Sequence, residues 1–184
     1  MTQPSVSILV PVQNNRHEAG LFLEQLKART PEPHDVLVLD LGSVDGTAEE
    51  ARTRGVPFLR FPAGAFTEEA VGRGLRLAAG DLVAVLDVRH RLRSNWVPTA
   101  RALFEAEERL AAVELERDQE EPGRESDQAP AALWLLPVVY RREALRAIGC
   151  LRHRMAEAEA LPLSQALVRW KEAGYRVRGM GAKS

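Results

Sequence analysis

Three absences narrow what this chain can be. It has a single cysteine, Cys150, so no disulfide can form within the chain. Its first residues carry no basic cluster, and the apolar run at 8–12 is far too short for a signal peptide or a membrane span. The formal net charge is -1, so no overall field favours nucleic acid or an anionic membrane. We therefore expect a cytoplasmic protein with no membrane span and no nucleic-acid partner.

Two familiar site patterns are also missing. The four histidines have no mutual spacing typical of a metal site. The turn 42–46 is rich in glycine but lacks the lysine of a phosphate-binding loop, so nucleotide hydrolysis by that route is not expected.

What remains is an ordinary globular composition. Apolar residues make up 45% of the 184 residues and charged residues 28%, as in typical soluble domains. A chain of this length can bury a core of two or three layers. We expect a single domain over residues 1–184.

Strands and helices alternate along the first half. Unbroken apolar runs such as 36–39 predict strands that are covered on both faces, as in parallel sheets. Between these runs, apolar residues recur at helical spacing. The series predicts an α/β fold with a parallel, right-handed sheet. The strands are predicted at 6–10, which Pro11 closes, and at 36–39, 58–61 and 82–86.

The pattern loosens after residue 87. We expect a helix from 94 to about 110 and an edge strand at 112–115. The segment 119–130 is rich in Glu, Asp and Pro and has no apolar period, which is typical of a flexible surface loop. The other elements are predicted at 133–140 (strand), 142–148 and 163–173 (helices) and 176–178 (strand).

Polar residues punctuate the turns between these elements. Thr47 and Glu50 form a T-x-x-E capping box, which predicts that Thr47 caps a helix. Thr67 is expected to cap the next helix. Asp40 ends a buried strand, where an unpaired carboxylate is expensive. A ligand, a basic side chain or the amides of the turn 42–45 must satisfy it, and we favour the amides.

Four segments resemble family-2 glycosyltransferases in their order and spacing. A weaker likeness returns at 140–149 and 169–175. The resemblance implies the GT-A fold, a Rossmann-like three-layer α/β/α sandwich with a mainly parallel central sheet, and transfer of a sugar from a nucleotide-sugar donor. The segments are 6–14 (VSILVPVQN), 36–47 (VLVLDLGSVDGT), 74–81 (GLRLAAGD) and 85–87 (VLD).

The resemblance also implies a division of labour and a set of donor-site residues. Residues 1–93 would form a nucleotide-binding half. Residues 94–184, with the acidic loop 119–130, would form a smaller acceptor-side half. The residues implied in nucleotide-sugar binding are Pro11, Gln13, Asn14, Asp40, Gly42, Ser43, Asp87 and Arg89.

The chain departs from the family pattern at three places in that site. The family's second strand usually ends in two acids, of which the second contacts the base. Here Asp40 matches the first, and Leu41 replaces the second. Gln13 stands where an aromatic residue is more usual. An Arg-Asn pair on the third helix is replaced by Val71 and Gly72.

The metal-binding D-x-D motif is altered to Asp87-Val88-Arg89. A divalent cation needs oxygen ligands, and a guanidinium cannot ligate it. At about 4 Å two like unit charges repel by about 4 kcal/mol at an effective dielectric near 20. We therefore expect no cofactor, and Mg²⁺ or Mn²⁺ only if Asp87 still ligates a metal.

The basic stretch that follows admits two interpretations. Arginine binds phosphate in a two-pronged way, so Arg89, His90, Arg91 and Arg93 would hold an anion such as a diphosphate without metal. Alternatively they form a solvated loop that pairs with the segment 119–130 or a partner.

The catalytic residues stay unassigned. The family's acidic pair lies shortly before the last helix, where this chain has Pro162 and Leu163. Glu157 and Glu159 are nearby at a different spacing, and they are the weak candidates for a general base.

Three functions follow from these observations. The first is a glycosyltransferase. The second is a catalytically inactive GT-A-fold binding or assembly module, in which exposed apolar surface at the former active site would allow a homodimer to form. The losses at Leu41, Arg89 and the acidic pair favour the second. A nucleotidyltransferase-like protein is disfavoured because an early Gly-rich basic loop is absent.

Overall fold

The protein is seen in a computed structural model that describes residues 3–30, 34–91, 93–115, 137–149 and 163–179. Within these ranges, seven strands form one sheet in the order β3-β2-β1-β4-β6-β5-β7. Four of the pairings between neighbouring strands are parallel and two are antiparallel. The sheet is thus mixed and mainly parallel, as predicted.

The first half of the chain builds the parallel part of the sheet. The predicted alternation of strands and helices is confirmed there, because β2 and β4 both pair in parallel with β1, and β3 pairs in parallel with β2. The elements are β1 (Val6–Val12), α1 (Arg16–Arg29), β2 (His34–Asp40), α2 (Thr47–Thr53), β3 (Phe58–Arg60), α3 (Thr67–Leu77) and β4 (Leu82–Val85).

The second half extends the same sheet. The strand β6 runs antiparallel between β4 and β5. The elements are α4 (Trp96–Ala106), β5 (Leu110–Glu114), β6 (Val138–Arg141), α5 (Arg142–Ala147), α6 (Leu163–Glu172) and β7 (Arg176–Gly179). The predicted loop 119–130 and Cys150 lie outside the described residues.

The prediction of an edge strand at 112–115 is wrong. The strand β5 has β6 on one side and β7 on the other, so it is internal to the sheet. Residues 110–113 are fully buried. The short apolar run looked like an edge because its outer neighbour, β7, comes more than 60 residues later in the chain.

The strand β1 also continues beyond its predicted end. It runs through Pro11 to Val12, and Pro11 lies opposite Leu39 of β2. Along a strand, successive backbone amides point alternately to the neighbouring strand on one side and to the neighbouring strand on the other. The Leu9 carbonyl accepts from Leu86 on the β4 side, and the Val12 carbonyl accepts from the residue after β2. The missing N–H of Pro11 therefore falls on the β4 side, so the pairing with β2 is unaffected.

Neither threonine caps its helix as predicted. Gly46, with φ 91°, is the N-cap of α2, and Phe66 is the N-cap of α3. Thr47 and Thr67 are the first helical residues instead. At α2 the acceptor for the Thr47 amide is Oδ1 of Asp45, at 3.0 Å, and the Glu50 amide, which a capping box would give to the threonine oxygen, donates to the Gly46 carbonyl.

The core consists of two layers, one on each face of the sheet. Alternate residues of β1 point to opposite faces, so Leu9 packs with α3, α5 and α6, while Ile8 and Val10 pack with α1 and α4. Trp96 and Trp170 are buried in this core, and Trp134 lies outside the described residues. In the part of the chain that the structure describes, no helix is long and apolar enough to cross a bilayer.

A buried hydrogen bond links two helices in one of these layers. Nε1 of Trp96, at the start of α4, donates to Oγ1 of Thr30, just after α1, over 3.1 Å, and both side chains are buried. We expect Thr30→Val to lower the free energy of unfolding by about 1–3 kcal/mol, because it leaves the indole N–H buried without an acceptor.

Urea denaturation of a double-mutant cycle checks this expectation. In a Trp96→Phe background no indole N–H remains, so Thr30→Val should then cost much less. Equal costs in the two backgrounds would show that the hydrogen bond contributes nothing.

Candidate functional site

The order in which strands are added to the sheet reverses at β1. From β1 the chain adds β2 and β3 on one side and then returns to add β4 on the other. In open α/β sheets such a switch point leaves a crevice at the carboxyl ends of the two central strands, and ligands gather there. The carboxyl ends of β1 and β2 and the loops that follow β1, β2 and β4 contain all the residues that the resemblance assigned to the donor site.

Pro11 helps to open this crevice. The ladder between β1 and β4 ends at Leu9 and Val85, followed by one bond from the Leu86 amide to the Leu9 carbonyl. The next bond of a parallel ladder would come from the amide of residue 11, which proline lacks. The two strands therefore stop pairing before either of them reaches its polar loop.

The loops after β1 and β2 are joined by side-chain to backbone hydrogen bonds. Nε2 of Gln13 donates to the Leu41 carbonyl at 3.0 Å. The amide of Asn14 donates to Oγ of Ser43 at 2.9 Å, and Oδ1 of Asn14 accepts from the Val44 amide at 3.0 Å. The predicted residues Gln13, Asn14 and Ser43 thus lie together, and they fix the shape of one wall of the crevice.

A second group of bonds continues this seam to the start of α2. Oδ2 of Asp45 accepts from the Arg16 amide at 2.9 Å, and Oγ1 of Thr47 accepts from the Asn15 amide at 3.2 Å. Oδ1 of Asp45 also accepts from the Thr47 hydroxyl at 2.5 Å. Burial acts to raise the pKa of Asp45, but these hydrogen bonds from Thr47 and Arg16 outweigh it and lower the pKa below its ordinary value.

Asp40 ends β2 with a fully buried carboxylate. Its Oδ1 accepts from the Ser43 amide at 3.1 Å, which confirms the expectation that a turn amide satisfies it. Its Oδ2 has no hydrogen-bond donor and lies 3.4 Å from Nε of Arg60. That distance fits an ion pair but not a good hydrogen bond, so one buried oxygen remains only partly satisfied.

Arg60 is the residue of this site that the sequence interpretation missed. Besides its ion pair with Asp40, it donates from Nη2 to the Ser43 carbonyl at 2.8 Å. Its side chain is 57% exposed. The available signal was its position, since a charged residue ends the short strand β3 directly beside the end of β2.

Asp87 and Arg89 form a two-pronged ion pair at the end of β4. Nε of Arg89 donates to Oδ1 of Asp87 at 2.8 Å, and Nη2 donates to Oδ2 at 2.6 Å. The amide of Arg89 also donates to Oδ1, at 2.8 Å. Burial alone would raise the pKa of Asp87, but the hydrogen bonds and charge of Arg89 outweigh burial and hold the pKa below its ordinary value.

This pair does not fit a divalent cation. Both oxygens of Asp87 already accept hydrogen bonds from a permanent cation, and a metal would have to displace it. Among the described residues, no cluster of three or more His, Cys, Asp or Glu side chains is placed to hold a metal.

Two of the positions that depart from the family pattern, Leu41 and Val71, lie in the core. Leu41 and Val71 are buried and belong to the same layer as Phe61. Arg73, two residues after Val71, lies over the Phe61 ring with its guanidinium carbon 6.0 Å from the ring centre. The candidate bases Glu157 and Glu159 lie outside the described residues.

Comparison with solved structures defines the class of this fold. A mannosyltransferase from Pyrobaculum calidifontis, in complex with GDP-Man and Mn²⁺, superimposes with a TM-score of 0.68 at 18% identity, over 97% of this chain and 55% of that chain. A glucosyl-3-phosphoglycerate synthase from Mycobacterium tuberculosis, in complex with UDP, gives 0.68 at 18% identity, over 98% and 72%. These neighbours have the GT-A fold that the sequence segments predicted.

A third neighbour, mannosyl-3-phosphoglycerate synthase from Rubrobacter xylanophilus, gives a TM-score of 0.66 at 18% identity, over 96% of this chain and 65% of that chain. The present chain thus spans between about half and three quarters of the length of these enzymes. A sequence comparison with curated proteins gave no match.

The family follows from the sequence itself. Residues 7–153 match the profile of glycosyl transferase family 2. The chain belongs to this family, and the resemblance seen in its segments is confirmed.

The turn after β2 offers a test of the crevice wall. Gly42 has φ 77°, and a Cβ there would lie 2.6 Å from the backbone of Ala63. Gly55 has a similar φ of 69°, but a Cβ there would meet nothing within 4 Å. We expect Gly55→Ala to cost about 1–2 kcal/mol for the left-handed backbone alone, and Gly42→Ala to cost about 1–3 kcal/mol more because of overpacking.

Urea denaturation midpoints measure both costs. The difference between the free energies of unfolding of the two variants gives the cost of the close contact between the turns at 42 and 63. If the two alanines cost the same, the turns are not in contact.

The pair at the end of β4 predicts a pKa change. In Arg89→Gln the charge of Arg89 and its side-chain hydrogen bonds to Asp87 are lost, while the hydrogen bond from the amide of residue 89 remains, so the pKa of Asp87 should rise relative to the wild type. Carboxyl-carbon NMR titration measures this value. Arg52→Gln, which breaks the exposed pair with Glu49 on α2, should leave it unchanged.

The lowered pKa of Asp87 determines how its ion pair changes the stability of the fold with pH. The pair stabilises the fold above the unfolded pKa of aspartate, and this contribution is lost as pH falls through the folded pKa. A wild-type Asp87 that titrates at or above the ordinary value would contradict the ion pair.

Proposed function

We propose that this chain binds the nucleotide of a nucleotide-sugar donor in the crevice at the carboxyl ends of β2, β1 and β4, as the donor-binding part of a family-2 glycosyltransferase. The observation that carries the proposal is the seam between the loops 13–16 and 41–47. It is built from side chains that bond to backbone between the loops after β1 and β2, beside the switch point, and it leaves a fixed polar wall.

The spacing of strands in a sheet is compatible with this assignment. Neighbouring strands lie about 4.8 Å apart, so the ends of β2 and β4 are separated by about 10 Å across β1. A nucleoside has about this length. In the proposed pose the base end lies near Asp40, and the diphosphate lies near Asp87 and Arg89.

The buried carboxylate of Asp40 would act at the base end through its neighbours. Its side chain has no exposed surface, and it bonds to the Ser43 amide and pairs with Arg60. Arg60, which is 57% exposed, is the member of this pair that a nucleoside can reach, and Asp40 orients it. The seam residues Pro11, Gln13, Asn14, Gly42 and Ser43 hold the wall against which the nucleoside packs.

The reaction that this pocket would serve is displacement at the anomeric carbon of the donor sugar. An acceptor hydroxyl attacks that carbon, a general base takes its proton, and the nucleoside diphosphate leaves. Glu157 and Glu159 are the candidate bases. The donor side of this reaction is the part that the described residues can support.

A second candidate is a binding or assembly module that retains the pocket without turnover. Asp87 is committed to Arg89, and Leu41 is buried where the family places an acid that contacts the base. Val44 and Phe66, in the loops that precede α2 and α3, are exposed by 87% and 75%. Exposed apolar residues at this edge would suit contact with a second copy of the chain.

Binding and turnover should be measured separately. Isothermal titration with UDP, GDP, UDP-glucose and GDP-mannose tests the pocket, and release of nucleoside diphosphate tests catalysis. We expect micromolar to millimolar binding of at least one nucleotide. Asp40→Asn should weaken it about 10-fold, since it removes the charge that holds the exposed guanidinium of Arg60 at the end of β2, and one charged interaction has that magnitude.

Asp35→Asn is the matched control, because Asp35 is an exposed residue at the opposite end of the same strand. It should bind nucleotide like the wild type. Binding with no turnover on any donor would favour the second candidate, and the absence of binding to every nucleotide would refute both.

A further inference from the structure

We propose that Arg89 takes the place of the divalent cation, so that its guanidinium, oriented by Asp87, binds the diphosphate of the donor directly. This inference rests on the proposed function, because it assigns a role within the same crevice. The ligand at the carboxyl end of β4 is a phosphate group, which is bound without metal.

The geometry of the pair leaves a phosphate-binding edge on the guanidinium. The bonds to Asp87 use Nε and one hydrogen of Nη2. Arginine has five N–H donors in a fixed planar fork, so Nη1 and the second hydrogen of Nη2 point away from the carboxylate. Arg89 is 69% exposed, whereas Asp87 is 27% exposed. The carboxylate thus lies behind the arginine, and the arginine faces outward.

The turn that carries the pair is fixed by its own backbone. The His90 amide donates to the Asp87 carbonyl at 3.0 Å, and the Asp87 amide donates to Nδ1 of His90 at 3.0 Å. With the bond from the Arg89 amide to Asp87, the turn is closed on both sides. Little side-chain freedom remains to be lost when a phosphate binds.

An intact D-x-D motif with its metal and the pair of Asp87 with Arg89 have the same formal charge. Two carboxylates and one divalent cation, as in an intact D-x-D motif, sum to zero. One carboxylate and one guanidinium, as in Asp87 and Arg89, also sum to zero. Arginine at position 89 therefore replaces both the second acid and the metal ion, and its guanidinium supplies the positive charge that faces the phosphate.

The turn is also in the right place. It follows β4 directly at the switch point, on the far side of β1 from Asp40. Arginine binds phosphate through two parallel hydrogen bonds, whereas an arginine that served only as a partner for Asp87 would need no outward edge at a crevice.

The experiment is isothermal titration of the whole chain with UDP and GDP, once with a chelator and once with Mn²⁺. For the wild type we expect equal affinity in the two conditions. Arg89→Ala should weaken binding by about 10- to 100-fold, as loss of charged hydrogen bonds implies. Arg52→Ala removes a comparably exposed arginine that pairs with Glu49 on α2, and it should not change the affinity.

The reciprocal variant Arg89→Asp recreates the D-x-D spacing. It should lose binding in chelator and regain it in Mn²⁺, and it should bind Mn²⁺ alone, as measured by electron paramagnetic resonance. We do not expect it to restore sugar transfer, because Leu41 and Leu163 also differ from the family. Circular dichroism melts check that each variant is folded.

The outcomes separate the two proposals. Nucleotide binding that requires Mn²⁺ in the wild type overturns the role of Arg89 and leaves the proposed function standing. Metal-free binding that Arg89→Ala does not weaken overturns it as well. If neither nucleotide binds the wild type in either condition, the nucleotide pocket itself is refuted.

Discussion

The candidate site depends on where the ladder between β1 and β4 ends. Backbone amides inside a sheet must find a carbonyl, and Pro11 has no amide to give. The missing amide falls on the β4 side, while the pairing with β2 continues. The pairing of β1 with β4 therefore ends before the polar loops that follow the two strands, at the switch point where ligands of open α/β sheets gather.

Short side chains satisfy the backbone amides of the loops after β1 and β2. Asn14, Ser43 and Asp45 each bond to the backbone of the opposite or adjacent loop, and Asn14 adopts a left-handed conformation with φ 50°. Such contacts hold loops without a hydrophobic cluster beneath them. The rigidity of the wall is therefore local in origin, and it coexists with two well-packed layers on the faces of the sheet.

Much of the fold could be predicted from the sequence, because apolar runs and helical periods report burial directly. The runs at 36–39 and 82–86 became β2 and β4, and the segments shared with the family placed Gln13, Asn14 and Ser43 on one seam. The order of strands could not be read in the same way. The internal position of β5 depends on β7, and the contact of Arg60 with Asp40 depends on the neighbouring ends of β2 and β3. Both are long-range pairings that leave no local pattern.

The pairing of Asp87 with Arg89 has a consequence beyond recognition. Both partners belong to one turn, so the positive charge is part of the covalent chain and needs no supply from solution. A carboxylate cluster that waits for an ion repels itself whenever that ion is scarce. This turn carries its own counter-charge, so the neutralisation of Asp87 needs no ion from the surrounding medium.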